Sequence, residues 1–189
     1  QLKRAELLSS LGANSLSRLD AERALPKLSD LGAEERTRML LATLNEPSLV
    51  LTRPGGPASV ILSAGADLRA TADEEQCVSR GLMRFAKDPV QGRTALDSCT
   101  GVFGRYVAAR ASEQSGELET AAQKYAAAYR ASLSSGAARP ALAREAALRY
   151  AERGPGPSSE DAIALATAAL QADDPDGNRA MLRVRGLAH

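Results

Sequence analysis

Apolar residues recur at three- and four-residue intervals along most of the chain. Leu7, Leu8 and Leu11, then Leu16 and Leu19, then Leu25 and Leu28 keep this spacing in the first third, which lays an apolar stripe along amphipathic helices. Gly12, with Asn14 and Ser15 behind it, interrupts the run and supplies a stop and a new N-cap. A third helix is expected over residues 33–44. Glu34 and Glu35 sit in its first turn, beside the positive end of its dipole, and Met39, Leu40, Leu41 and Leu44 form its apolar side.

The stretch EPSLVLTRPGGPASVILSAG, residues 46–65, breaks the helical pattern. Pro47, Pro54, Gly55, Gly56 and Pro57 make it an irregular connection. Its flanks SLVLT and ASVIL are β-prone and suit a short hairpin across the turn. A competing reading starts a helix in the second flank and carries it through Asp67 to Arg69. A phosphate-binding loop is not expected, because RPGGPA lacks the lysine and hydroxyl that follow the glycines in such loops.

A helix is expected over residues 73–86, opened by Asp73, Glu74 and Glu75, with Val78, Leu82 and Phe85 on its apolar side and Asp88-Pro89 closing it. The next apolar stripe, Leu96, Cys99, Phe103, Tyr106, Val107 and Arg110, predicts one long helix over residues 93–115. Cys77 and Cys99, the two cysteines of the chain, thus fall on consecutive helices, which usually pack antiparallel, so a disulfide is geometrically open to them. Two buried thiols in a reducing compartment is the equal alternative.

After a break at Ser115-Gly116 comes GELETAAQKYAAAYRAS, in which small residues and tyrosines hold fixed places. Ala109, Gly116, Ala121, Tyr125 and Ala128 match, in order, the small, glycine, alanine, aromatic and small positions of the tetratricopeptide repeat, a unit of about 34 residues folded as two antiparallel helices. A second unit starts at Pro140, with Ala147, Tyr150 and Gly154, a loop insertion at GPGPSS, and Ala162, Ala166, Ala169 and Leu170 in its second helix. Residues 102–177 resemble that family. They depart from it at Arg105 and Ser112, where a large apolar and an aromatic residue are usual, and at an alanine in the aromatic place of the second unit.

The resemblance implies an all-α fold of antiparallel helical hairpins in a TPR-like superhelical array, whose first helices line a concave groove for an extended peptide or a partner helix. By place, the groove residues are Phe103, Tyr106, Arg110 and Glu113 in the first unit and Ala141, Arg144, Leu148 and Ala151 in the second. Arg110 and Arg144 would hold a partner carboxylate and Tyr106 would give apolar contact. The competing reading makes Phe103 and Tyr106 core and the arginines solvated. The family's clamp for a C-terminal carboxylate, built of several lysines and asparagines, is missing.

Composition and charge fit this reading. Alanine is about a fifth of the chain, aromatics are 3% and tryptophan is absent, which favours closely approached helices over a sheet sandwich. Residues 1–100 carry 13 basic and 13 acidic groups and the net charge is +1, so no field attracts nucleic acid. No apolar stretch is long enough for a membrane span. No catalytic site is expected. His189 stands at the end of the sequence, the acidic runs sit at helix starts, and DDPDGN lacks the later ligands of a calcium loop. No metal site or cofactor is expected either, since two cysteines and that histidine do not make a ligand set.

These observations divide the chain into an N-terminal helical region with its Pro/Gly-rich loop, residues 1–92, and a repeat region, residues 93–189. MLRVRGLAH reads as the start of another helix, as in a piece of a longer array. The expected role is a non-catalytic scaffold that binds another protein within a larger assembly. The alternatives are a structural subunit without a peptide groove and a regulatory domain of an enzyme. Gln1 and the cysteine pair lean toward a bacterial periplasm or cell envelope over the cytoplasm.

Overall fold

The computed structural model describes residues 59–62, 67–136, 139–152, 159–170, 178, 181–184 and 186. The leucine-patterned helices expected in residues 1–44, the flank SLVLT and the loop after Glu152 lie outside the described residues. Within them the chain is predominantly helical, as its alanine content and periodicity predict.

A small antiparallel hairpin comes first: β1 (Ser59–Ile61) pairs with β2 (Asp67–Arg69), in the register Ser59 to Arg69, Val60 to Leu68 and Ile61 to Asp67. Residues 67–69 are extended, which corrects the helical reading of them, and the strand at ASVIL pairs with this following segment; SLVLT, its expected partner, lies outside the described residues. Val60, Leu62, Leu68 and Ala70 are buried, so the hairpin is held by the apolar face it presents to the helices.

Helix α1 (Ala72–Phe85) begins with a capping box: Thr71 accepts from the Glu74 amide while the Glu74 carboxylate accepts from the Thr71 amide at 2.8 Å. Asp88-Pro89 ends this helix and also starts the next. In α2 (Pro89–Asp97), Asp88 is the N-cap, accepting from the Val90 and Gln91 amides at 2.9 and 3.1 Å, and Pro89 takes the first helical position. The long helix expected over residues 93–115 is therefore two helices. The chain turns at Ser98 to Gly101 before α3 (Val102–Gln114). Ser98 folds its hydroxyl back onto the Ala95 carbonyl at 2.7 Å, and Cys99 leaves the helical path to bond Cys77, with Cα atoms 5.8 Å apart. Linking residues 22 apart in sequence removes unfolded-chain entropy worth about 3 kcal/mol.

The division expected after residue 92 falls inside α2, and one buried cluster runs from Val60 through Leu82, Leu96 and Phe103 to Leu142 and Ala146.

The hairpin of α3 and α4 (Leu118–Ser134) is closed by Gly116 at φ +78°. The Gly116 amide donates to Glu113 and the Glu117 amide to Ser112, the double bond pattern that ends a helix through a left-handed glycine. Ala109, Ala121, Tyr125 and Ala128 are all fully buried, and small side chains at a crossing let two helices approach closely. Next come α5 (Pro140–Glu152) and α6 (Ser159–Ala169), each packed on its predecessor in sequence. Residues 181–184 are again helical, and Met181 and Val184 are buried with Tyr150, Ala162, Ala166 and Ala169 in a second cluster. No helix among the described residues is long and apolar enough to cross a membrane.

Helix α3 is central. It touches α1, α2, α4 and β2, and Phe103, Tyr106, Val107, Ala108, Ala109, Ala111 and Ser112 are all buried. Its N-terminus is tied to α1 by one carboxylate: besides closing the capping box of α1, Glu74 accepts from the Phe103 amide at 3.0 Å. Gly101 has no side chain to cap α3, and a Cβ there would collide with the Glu74 carboxylate. The cap is thus supplied by a side chain 29 positions before the Phe103 amide it accepts from. Glu74→Ala is expected to lower stability by about 2 kcal/mol, the worth of charge-assisted bonds to two amides less their replacement by water. Urea unfolding checks this, and Glu74→Gln should recover part of the loss because it keeps an acceptor.

Candidate functional site

Helices α3 and α5 run on the same side of α4 closely enough for an ion pair, and their facing side chains form the most elaborate polar cluster among the described residues. Glu113 of α3 is its centre. One carboxylate oxygen accepts from Arg110 Nη1 at 2.8 Å and from the Tyr125 hydroxyl at 2.8 Å. The other pairs with Arg149 Nη2 at 2.7 Å. Arg149, on α5, also meets Glu145 at 3.5 Å and Glu152 at 3.1 Å. Arg110 to Glu113 and Arg149 to Glu152 are three residues apart, and Glu145 to Arg149 four, spacings that put both partners on one face of a helix.

The cluster is only partly open to water: the side chains of Arg110, Glu113 and Arg149 are 16%, 20% and 13% exposed. Burial raises the Glu113 carboxyl, but Arg110, the Tyr125 hydroxyl and Arg149 outweigh it and hold the group below its ordinary value. Burial pushes Tyr125 well above the ordinary tyrosine value; Arg110 opposes this, and Glu113 and Glu145 add to it. Glu113 is therefore ionised and Tyr125 protonated across the neutral range, so the pair is a fixed hydrogen bond and not a proton relay. Arg149 is lowered by burial but raised overall by Glu113, Glu145 and Glu152.

Glu145 is different. Burial dominates there and lifts its carboxyl above the ordinary value of 4.5, against Arg149, Arg144 and Arg110. The two glutamates thus pull stability in opposite directions. The Glu113 contribution is complete above 4.5 and is lost as pH falls through its lowered folded value. The Glu145 contribution is complete below 4.5 and is lost as pH rises through its raised folded value. Urea unfolding followed across pH should therefore show stability declining as pH rises from 4.5 through the raised Glu145 value, and Glu145→Gln should abolish that decline while leaving the acid limb in place.

The groove residues expected from sequence divide into two groups. Phe103 is fully buried and Tyr106 is 4% exposed. Tyr106 packs against Tyr125 with ring centroids 5.8 Å apart and planes inclined by 55°. Both are core residues and present no surface to a partner, because α3 is covered on the flank they face. Arg110, Glu113, Arg144 and Leu148 are half-buried, and Arg110 and Glu113 are brought together. Ala141 of the second unit is buried, and Ala151 packs at the margin of the second cluster.

Sequence reasoning missed three members. Arg149 joins α3 to α5; its spacing from Glu145 and Glu152 was visible, its pairing with Glu113 was not. Tyr125, expected as packing alone, also donates to Glu113. The third is Glu145. Two further pairs brace this hairpin from α2: Lys124 to Asp97 at 2.6 Å and Arg93 to Glu117 at 2.9 Å. Among the described residues no group of three or more His, Cys, Asp or Glu side chains is gathered to hold a metal. The cluster's chemistry is charge pairing and hydrogen bonding. No known protein family, curated protein or solved structure matches the chain.

Proposed function

We propose that this chain is a non-catalytic, TPR-like helical scaffold that binds another protein on the face shared by α3 and α5. The observation that carries this reading is the bridge from Glu113 to Arg149. It sets the first helices of two successive hairpins side by side, as a repeat array requires of helices lining one surface. The coincidence of the repeat's small and aromatic places with fully buried residues at the α3–α4 crossing supports the same reading. The partner surface then consists of Arg110, Arg144 and Leu148 together with the rim of the Glu113 cluster.

A second reading gains from the same cluster. Its guanidiniums face Glu113, Glu145 and Glu152, and the two aromatic anchors are core, so the face has less to offer an extended peptide than the repeat resemblance implies. A structural subunit that packs broadly against neighbours fits those facts. The bond between Cys77 and Cys99 supports an oxidising compartment such as a periplasm for either role.

Crosslinking and mass spectrometry of the protein isolated with its partners separates the two. The scaffold reading expects crosslinks from one recurrent partner along α3 and α5 and loss of that partner on Arg144→Glu. Crosslinks scattered over α1, α2, α4 and α6 to several neighbours, unaffected by Arg144→Glu, would reject it in favour of the structural subunit.

A further inference from the structure

Two carboxylates compete for one nitrogen of Arg149. Its Nη2 meets Glu113 of α3 at 2.7 Å and Glu145, one turn earlier on α5, at 3.5 Å. Glu113 therefore holds the hydrogen bond, and Glu145 stands just beyond hydrogen-bond distance of the same atom. The rest of the guanidinium is unevenly used. Nη1 donates to Glu152 at 3.1 Å, whereas Nε is buried and has no hydrogen-bond partner among the described residues. Nε–H and the neighbouring Nη2–H form one edge of the guanidinium, able to grip a carboxylate through two parallel bonds. On Arg149 that edge is half occupied, and a buried donor without an acceptor is costly.

Glu145 is placed to complete it. It lies four residues before Arg149, on the same face of α5. The charges that act on it are Arg149 and Arg144 from its own helix and Arg110 and Glu113 from α3. From α4, the Tyr125 hydroxyl is bonded to Glu113 and feels the Glu145 charge. Glu119 and Arg130 of α4 and Asp161 of α6 act on Tyr150 of α5. Burial, with repulsion from the ionised Glu113 beside it, outweighs the three guanidiniums and keeps the Glu145 carboxyl protonated above the ordinary value of 4.5. A neutral Glu145 attracts Arg149 weakly, and the arginine stays on Glu113. An ionised Glu145 presents a full charge to the half-occupied edge, and a bidentate pair within α5 then competes with the bridge to α3.

We propose that Arg149 is a pH-operated latch between α3 and α5: with Glu145 neutral it bridges to Glu113, and with Glu145 ionised it turns its Nε and Nη2 edge onto its own helix and loosens the bridge. The proton released by Glu145 passes to water. As regulation of a partner-binding face the latch rests on the scaffold reading above; as chemistry it does not, and its test needs no partner.

The test follows the isotope-labelled full chain by NMR as pH is raised from 4.5. The Arg149 Nε–H resonance, identified by its absence in Arg149→Lys, should move downfield with the same midpoint as the Glu145 carboxyl carbon, and should stay fixed in Glu145→Gln. Urea unfolding of wild type, Glu113→Leu, Arg149→Met and the double variant then gives the coupling between Glu113 and Arg149. That coupling should fall about twofold across the Glu145 titration and stay constant in a Glu145→Gln background. The latch is overturned if the Nε–H resonance stays fixed while Glu145 titrates, if it moves equally in Glu145→Gln, or if the coupling is the same on both sides of the titration. Scattered crosslinks together with the expected NMR titration would reject the scaffold and keep the latch, so the two failures are told apart.

Discussion

Glu113→Ala is expected to lower the unfolding free energy by about 3 kcal/mol, the low end of what removing one partner from a buried ion pair does. The loss comes less from the bonds removed than from what stays behind. Arg110 and Arg149 lose the carboxylate oxygens they meet at 2.8 and 2.7 Å, and the Tyr125 hydroxyl, deep in the core, loses its acceptor. The residual exposure of the two arginine side chains, 16% and 13%, lets water recover part of the deficit and keeps the effect from the top of the range. Tyr125→Phe should recover some stability in the alanine background by removing the orphaned hydroxyl, and Glu113→Gln should lie between wild type and alanine. Replacing Glu113 by Leu together with Arg149 by Met tests the logic from the other side: the double variant should be more stable than Glu113→Leu alone. Urea unfolding of the full set checks these orderings. Additive losses in the double variant would mean that Glu113 and Arg149 are not coupled.

The cluster also shows where sequence reading stops. Asp73, Glu74 and Glu75 announced a helix start because acids in a first turn are a local signal, and Gly116 announced a helix end for the same reason. The small residues at the α3–α4 crossing were legible because close approach of two helices demands them. The bridge from Glu113 to Arg149 has no such signal. It depends on how α5 returns beside α3, and only the internal spacing of Glu145, Arg149 and Glu152 hinted at it. Glu74 reaching the Phe103 amide is hidden for the same reason: it read as an ordinary first-turn acid.

The break between α2 and α3 was obscured differently. Leu96, Cys99 and Phe103 keep helical spacing across it, so the apolar stripe continues while the backbone does not, and the cluster Ser98-Cys99-Thr100-Gly101 was the better guide. Phe103 and Tyr106 were assigned to a groove by their places in the repeat, with core positions as the competing reading. The sequence VFGRYVAARAS is apolar or small nearly all round, the mark of a helix buried on most sides, and α3 is packed by α1, α2, α4 and β2. The pairing of ASVIL with residues 67–69 was not legible because three-residue strands carry too short an alternation to fix a partner.

Gly92→Ala is expected to destabilise by about 3 kcal/mol, the upper part of the range for forcing extra atoms into a packed interior. A Cβ at this position would overlap the backbone N and Cα of Phe85, and backbone at the end of α1 cannot move aside as a flexible side chain can. Helices α1 and α2 would have to separate. Their other close contact is also a glycine: a Cβ at Gly81 would meet Leu96 Cδ2 at 2.5 Å, but there a side chain can rotate. Gly81→Ala should therefore be the milder of the two, although both replace a helical glycine with the better helix former. Separation of α1 and α2 would also pull on the bond between Cys77 and Cys99, which joins α1 to the turn after α2. Thermal unfolding with and without reductant distinguishes the causes. If α2 is displaced, reductant should add little to the loss in Gly92→Ala and much more to the loss in wild type. Equal effects of reductant in both would place the strain of the substitution elsewhere than between these two helices.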